Sequence, residues 1–181
     1  MTQTITTLDQ LVDTVTQSPS RLYVRYMADP QGDIRRGYAT NHITGQPEAG
    51  LSVEDLIPED KERDVWAWDT PEGRRDYIIM QLASYSFLLA GGGHAYLLTG
   101  QALSSRGGDN ELLIRDAALV GVVADQVCKE ASRLRLAQAD ARAAARDAQI
   151  AAFHGGVYPA YVRRPQRVKT WRDGQWIVTY D

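Results

Sequence analysis

The string SSRGGDNELLIRD, residues 104–116, sets an arginine, two glycines, an aspartate, an asparagine and a glutamate directly before an apolar run. Two readings of it stand. In one it is a tight turn: Gly107 and Gly108 permit positive φ, Asp109 and Asn110 make an Asx-type turn, and Arg106 pairs with Glu111 across it. In the other it is a polar site held at a strand end. A second set of residues with chemical potential lies near the C-terminus, where Arg163, Arg164, Arg167, Lys169 and Arg172 alternate with Tyr161, Trp171 and Trp176. Phosphate neutralisation combined with aromatic stacking suits single-stranded nucleic acid. The same charges also suit a solvated hairpin edge that resists pairing with other strands. Arg142 and Arg146 share one helix face and either extend that basic surface or pair locally with Asp140 and Asp147.

Other chemistry is not spelled in the chain. It holds no phosphate loop of the G-x-x-x-x-G-K-[ST] kind, no G-x-S-x-G, no H-E-x-x-H and no dinucleotide glycine fingerprint. His42, His94 and His154 are far apart in sequence, and no metal site is expected. The single cysteine, Cys128, excludes an internal disulfide and a cysteine cluster for zinc, and its place near a helical seam reads as an inert, buried thiol. The GGGH string at 91–94 is a helix stop followed by a strand, which gives a phosphate no helix N-terminus to sit on.

The elements that must position these residues follow from periodicity. Leu8, Leu11, Val12 and Val15 give a helix over 7–17, with Thr7 and Gln10 at capping-box spacing. RLYVRYM, 21–27, is a strand that puts Leu22, Val24 and Tyr26 on one face and Tyr23, Arg25 and Met27 on the other. ADPQGD reads as a loop, and GLSVEDL, 50–56, as a short strand. Thr70, Pro71 and Glu72 open a helix to about residue 90, with Ile78, Leu82, Tyr85 and Leu89 as its buried stripe and Trp66 and Trp68 packed beneath its start. HAYLLTG is strand-like, and ELLIRDA with ALVGVVA forms two strands or one long bent one. A helix over 125–153 carries a narrow stripe made mostly of alanine, which buries little area alone and calls for a partner helix. RVKTWRDGQWIVTYD is a hairpin turning at RDGQ. The expected fold class is α+β: a small mixed or antiparallel sheet with packed helices, a long C-terminal helix and a terminal β-hairpin.

The 181 residues are 44% apolar and 24% charged, as in an ordinary globular protein. Charge divides them unequally. Residues 126–181 hold ten basic and five acidic residues, net +5, and residues 1–125 hold 10 basic and 18 acidic, net −8. An acidic α+β core over 1–125 and a basic appendage over 126–181 are the expected domains. The N-terminus has no basic start or continuous apolar stretch, and no run of 18 apolar residues occurs, so a cytoplasmic protein without a membrane span is expected.

LYVRY, then GLSVEDL, then a tryptophan pair, then YLLTGQALSSRGGDNELLI resembles a small uncharacterised actinobacterial family of unknown function, over about residues 7–130. At fold level, an early strand with an arginine, a middle strand with a serine and a late strand headed by a glutamate also resemble the ADP-ribosyltransferase layout. That likeness implies that Arg25 holds the phosphate or ribose of NAD, and Arg106 is a second cofactor-binding candidate. It also implies that Ser52 props the nicotinamide side and that Glu111 hydrogen-bonds the ribose near the cleaved bond. A carboxylate there would stabilise the oxocarbenium character that develops on cleavage, and an arginine fork matches a diphosphate. Asp109 stands two before the glutamate, and Val53 and Glu54 follow the serine, so the pattern departs from that layout at both places.

Two functions are therefore expected, from different classes. The first is a non-enzymatic interaction or assembly protein without a cofactor. Its partner, a protein, a second copy or nucleic acid, would be held through Arg142, Arg146, Arg163, Arg164, Arg167, Trp171 and Trp176. The alternative is an ADP-ribosyltransferase-like protein, active or degenerate, that takes NAD as substrate.

Overall fold

In a computed structural model of the chain, residues 2–41, 44–103, 112–153, 167–172 and 175–180 are described. The chain divides into two compact units, Met1–Ala137 and Gln138–Asp181.

The first unit is built on β1 (Gln3–Ile5), β2 (Tyr23–Met27), β5 (Leu51–Asp55), β6 (His94–Ala102) and β7 (Leu112–Val123). β7 pairs with β5, β5 with β2, β2 with β6 and β6 again with β7, all antiparallel, so four strands close on themselves. β1 joins the far end of β7 in parallel, Gln3 opposite Gly121. Closure relies on the length and bending of β7. The β6–β7 register slips between Leu97 and Leu98 and again between Thr99 and Gln101, and Asp116 has φ 52°. Irregularities of this kind bend a strand and increase its twist. They let one end of β7 meet β5 and the other meet β1. Of the two expectations for this stretch, two strands or one long bent one, the second holds: β7 is a single bent strand over Leu112–Val123.

Alternation along the strands sorts side chains into two apolar clusters. Tyr23, Met27, Leu51, Val53, Leu98 and Ile114 form one. Leu22 and Val24, on the opposite face of β2, join the other with the helices α1 (Leu8–Gln17), α3 (Pro71–Ala83) and the first turns of α5 (Asp125–Phe153), where Val127, Cys128 and Ala131 are buried. The expected α+β class and the two faces of β2 are as observed.

Caps set the helix starts. Thr7 Oγ1 accepts from Gln10 N at 3.1 Å, while Gln10 Oε1 accepts from Thr6 N at 2.9 Å, one residue earlier than a capping box would have it. Thr70 Oγ1 accepts from Gly73 N at 3.0 Å with Pro71 at the first position. Trp66 and Trp68 each meet Tyr77 edge-on, at 5.3 and 5.8 Å, and so pack beneath α3 as expected. The helix expected over 71–90 ends at Ala83 and resumes as α4 (Tyr85–Leu88) and a 3-10 turn to Gly91. Ser86 Oγ donates to the Ala83 carbonyl at 3.2 Å, and Tyr85 Oη donates to Val24 O at 3.1 Å, which draws the second piece onto β2.

Three short elements escape periodicity. ADPQGD is not a loop: α2 (Pro30–Arg36) starts on an Asp29 cap, whose Oδ1 accepts from Gly32 N at 3.0 Å, and ends at Gly37 in the left-handed conformation. A β3–β4 hairpin (Tyr38–Thr40 and Pro47–Ala49) follows. Gly50, at φ 101°, then turns the chain into β5 where a Cβ would lie 2.8 Å from Leu103 Cδ1, so only glycine fits.

In the second unit α5 continues over residues 138–153, and β8 (Arg167–Arg172) pairs antiparallel with β9 (Gln175–Tyr180). Trp171 pairs with Trp176 in that register, and residues 173–174 of the expected RDGQ turn lie outside the described residues.

Candidate functional site

A cavity of about 580 Å³ opens in the first unit where β2, α2, β3, β5 and α4 meet. Its polar wall has Arg25 of β2, Ser52 and Glu54 of β5, and Asp33 and Arg36 of α2. Tyr38 of β3 and Leu88 of α4 supply an apolar side, and Tyr26 and Tyr85 fill the wall between.

The wall is fixed by long-range pairing. β2 and β5 are neighbours, with Val24 opposite Glu54 and Tyr23 opposite Asp55. Arg25 is half-buried, and its Nη1 donates to the Ser52 carbonyl, which ties the guanidinium to the neighbouring strand. Arg36 pairs with Asp33 one turn back on α2. Tyr26 Oη accepts from Gly93 N at 2.8 Å. Below the site, Arg21 clamps the strand ends: its Nη2 lies 2.6 Å from Asp55 Oδ2 and 2.8 Å from Ile57 O. Burial opposes the Arg21 charge, and the hydrogen bond and charge of Asp55 outweigh it, so the guanidinium titrates above its ordinary value.

Of the residues expected to act on a cofactor, Arg25 and Ser52 come together on one cavity. Glu111 and Arg106 lie outside the described residues. Leu112, which follows Glu111, opens β7 and pairs with Val53, the residue after Ser52. The arginine strand, the serine strand and the strand that follows the glutamate are therefore consecutive in the sheet, β2–β5–β7.

The cavity also holds residues that sequence reasoning did not single out. Glu54 follows from the two-residue alternation that starts at Ser52, because both then point to one side. Asp33 and Arg36 could have been found from the Asp-Pro start and glycine stop of α2. Tyr38 and Leu88 carried no signal, since each owes its place to a turn.

The other candidates fall elsewhere. Arg142 and Arg146 are exposed on α5, with Arg146 Nε 3.6 Å from Asp147 Oδ1, in line with the local pairing. Arg163 and Arg164 are outside the described residues; Arg167 and Trp171 belong to β8 and Trp176 to β9. His94 meets Asp125, Nδ1 to Oδ1 at 2.8 Å, at the start of α5, while His42 and His154 are outside the described residues. Cys128 is fully buried, and burial, assisted by the charge of Asp125, pushes its thiol up to about 12. Among the described residues, no cluster of three or more His, Cys, Asp or Glu could hold a metal, and no helix is long and apolar enough to cross a membrane.

No curated protein and no solved structure matches the chain. A family of unknown function, DUF6098, matches residues 1–145, which extends the expected 7–130 through the first unit and into α5. That match names no source organism and does not join the chain to the ADP-ribosyltransferases. With well over half of its length matched, the chain belongs to the family of unknown function DUF6098.

Proposed function

We propose that the first unit binds NAD in the β2–β5 cavity and is ADP-ribosyltransferase-like in its chemistry. The observation that carries this reading is that Arg25 and Ser52, distant in sequence, line a single cavity. The cavity volume is within the range of pockets that take small molecules and cofactors. In this reading Arg25 holds the diphosphate and Ser52 orients the nicotinamide side. The bond between ribose C1′ and the nicotinamide nitrogen breaks with its electron pair leaving on nicotinamide. Glu111 stabilises the cation left on the ribose and receives the proton of the attacking nucleophile, water or an acceptor side chain. The adjacency of β2, β5 and β7 supports bringing the three residues together.

Thermal unfolding with NAD tests this. At a hundredfold excess over Kd, about 2.7 kcal/mol of stabilisation raises Tm by roughly 5–10 °C in a protein of this size. An unmoved Tm at millimolar NAD, together with a flat titration calorimetry trace, removes the reading.

A second reading has its own observation. Ala141, Ala145 and Ala148 of α5 are exposed, and Leu136 is 64% exposed. A partner protein or a second copy covering this face would make the chain an assembly protein, with Arg142 and Arg146 on the same helix and Arg167, Trp171 and Trp176 of β8 and β9 as further partner-binding candidates. Light scattering on the full chain tests self-association. A monomer at every concentration, unchanged by Ala145→Lys, sinks that version, and fluorescence anisotropy with a labelled oligonucleotide tests nucleic acid.

A further inference from the structure

We propose that Tyr38 and Leu88 form a ring-binding shelf at the cavity, so that the site selects ligands carrying a flat heteroaromatic base over a bare diphosphate. This rests on the nucleotide reading above and names the feature that would make it selective.

The cavity's charges do not suffice to hold an anion alone. Arg25 and Arg36 bring two positive charges, and Asp33 and Glu54 bring two negative ones to the same lining. With the formal charge of the wall at zero, a diphosphate gains from individual guanidinium forks and not from a net field. The rest of its affinity must come from another part of the ligand.

Tyr38 and Leu88 are the means. Both line the cavity, yet they are 45% and 46% exposed, and they are two of only five large apolar residues that stand exposed among the described residues. Single exposed apolar side chains are ordinary. Two on one cavity, from separate elements, make an apolar shelf beside a polar floor. Each is held by its backbone. Gly50 N donates to Gly37 O at 3.1 Å, and Tyr38 pairs with Ala49 across the hairpin, so the ring stands on a base tied to β5. Leu88 belongs to α4, which Tyr85 anchors to Val24. A tyrosine ring on a tethered backbone has only two χ angles to fix when a base stacks on it, and base stacking is sequence-tolerant because every base has a π-face.

Isothermal titration of the full chain with ADP-ribose and with inorganic pyrophosphate tests the shelf. Wild-type protein binds ADP-ribose at least about tenfold more tightly than pyrophosphate. Tyr38→Ala removes about tenfold of the ADP-ribose affinity and leaves pyrophosphate within about twofold. Leu88→Ala moves the same way by less, and Tyr38→Phe keeps the preference. Both positions are half-exposed, and circular dichroism melts verify that the variants fold. Equal wild-type affinity for the two probes overturns the shelf while leaving an anion site standing. So does a Tyr38→Ala variant that weakens both probes alike or neither. If wild type binds neither probe, the nucleotide reading falls and takes the shelf with it.

Discussion

The cavity of the first unit and the stretch of α5 beyond Ala137 both present arginines and carboxylates to solvent, but the two surfaces are assembled differently. In the cavity, Arg25 meets Ser52 across 27 residues of sequence, and the strand that follows Glu111 is brought next to Ser52 by the β5–β7 pairing. On α5, Arg146 meets its own neighbour, Asp147. A charge held by sheet order has one set of partners and a defined distance from other charges, which an oriented ligand needs. A charge on an exposed helix has partners within its own helix and adapts to what lies over it, which suits a broad partner surface.

The sharpest way to break that contrast is Glu111→Gln. If the cavity works as proposed, the variant keeps NAD affinity within about threefold and loses 10²–10⁴-fold in nicotinamide release, because a neutral amide no longer stabilises the ribose cation or accepts the proton. Release measured by chromatography and binding measured by calorimetry separate the two. Unchanged release would assign the reaction to another group and return residues 104–111 to a plain turn. Arg25→Lys comes next in size. Lysine keeps the charge but not the fork, so NAD affinity falls by about tenfold, and the hydrogen bond to the Ser52 carbonyl loses its fixed geometry. Arg146→Lys on α5, a pair worth a few tenths of a kcal/mol at most, changes neither NAD affinity nor Tm.

The next effect is on stability and concerns the first unit's core. Tyr77 is buried against Trp66 and Trp68, and burial pushes its phenol from 10 up to about 12, with the charges of Asp55 and Glu62 adding to the rise. The neutral form is therefore favoured in the folded state. Its contribution is fully present below pH 10 and is lost as pH rises through 10 towards 12, by about 2 kcal/mol in all. Tyr23, also raised by burial and by Asp55, works in the same direction. Denaturant midpoints measured from pH 9 to 12, followed beside tyrosinate absorbance, should fall in that window. Tyr77→Phe should flatten the fall.

Much of the scaffold was legible because its signals are local. The alternation of RLYVRYM placed Arg25 opposite to Val24, and the Thr70-Pro71 pair fixed the start of α3. The long α5 read directly from its alanine-rich composition and regular spacing. What stayed hidden was non-local or brief. The closing of four strands depends on slips between β6 and β7 that leave no mark in sequence. The three-residue β1 has too few residues to show a period. The break at Ser84 arises from Tyr85 reaching the Val24 carbonyl, a partner 61 residues away. Of the site, Arg25 and Ser52 were legible as a pair only through likeness to a known layout. Asp33 and Arg36 sit on a seven-residue helix marked only by its Asp-Pro start and glycine stop, and Tyr38 follows the turn at Gly37 with no period of its own.

The smallest effect sharpens the comparison from the other side. Ala145 is exposed in the middle of α5, so glycine there meets no packing and costs only helix propensity, about 1 kcal/mol. Ala145→Gly should speed amide hydrogen exchange over residues 138–153 by about fivefold, leaving exchange in β2, β5 and β7 and the affinity for NAD unchanged. Residues 138–153 lie outside the compact unit Met1–Ala137 that holds β2, β5 and β7, so a local opening there is expected to transmit little to the sheet. Were exchange in β5 to accelerate as well, the exposed helix and the cavity would share one unfolding unit. The contrast between a site built by sheet order and a surface built by helix period would then no longer separate two working parts of the molecule.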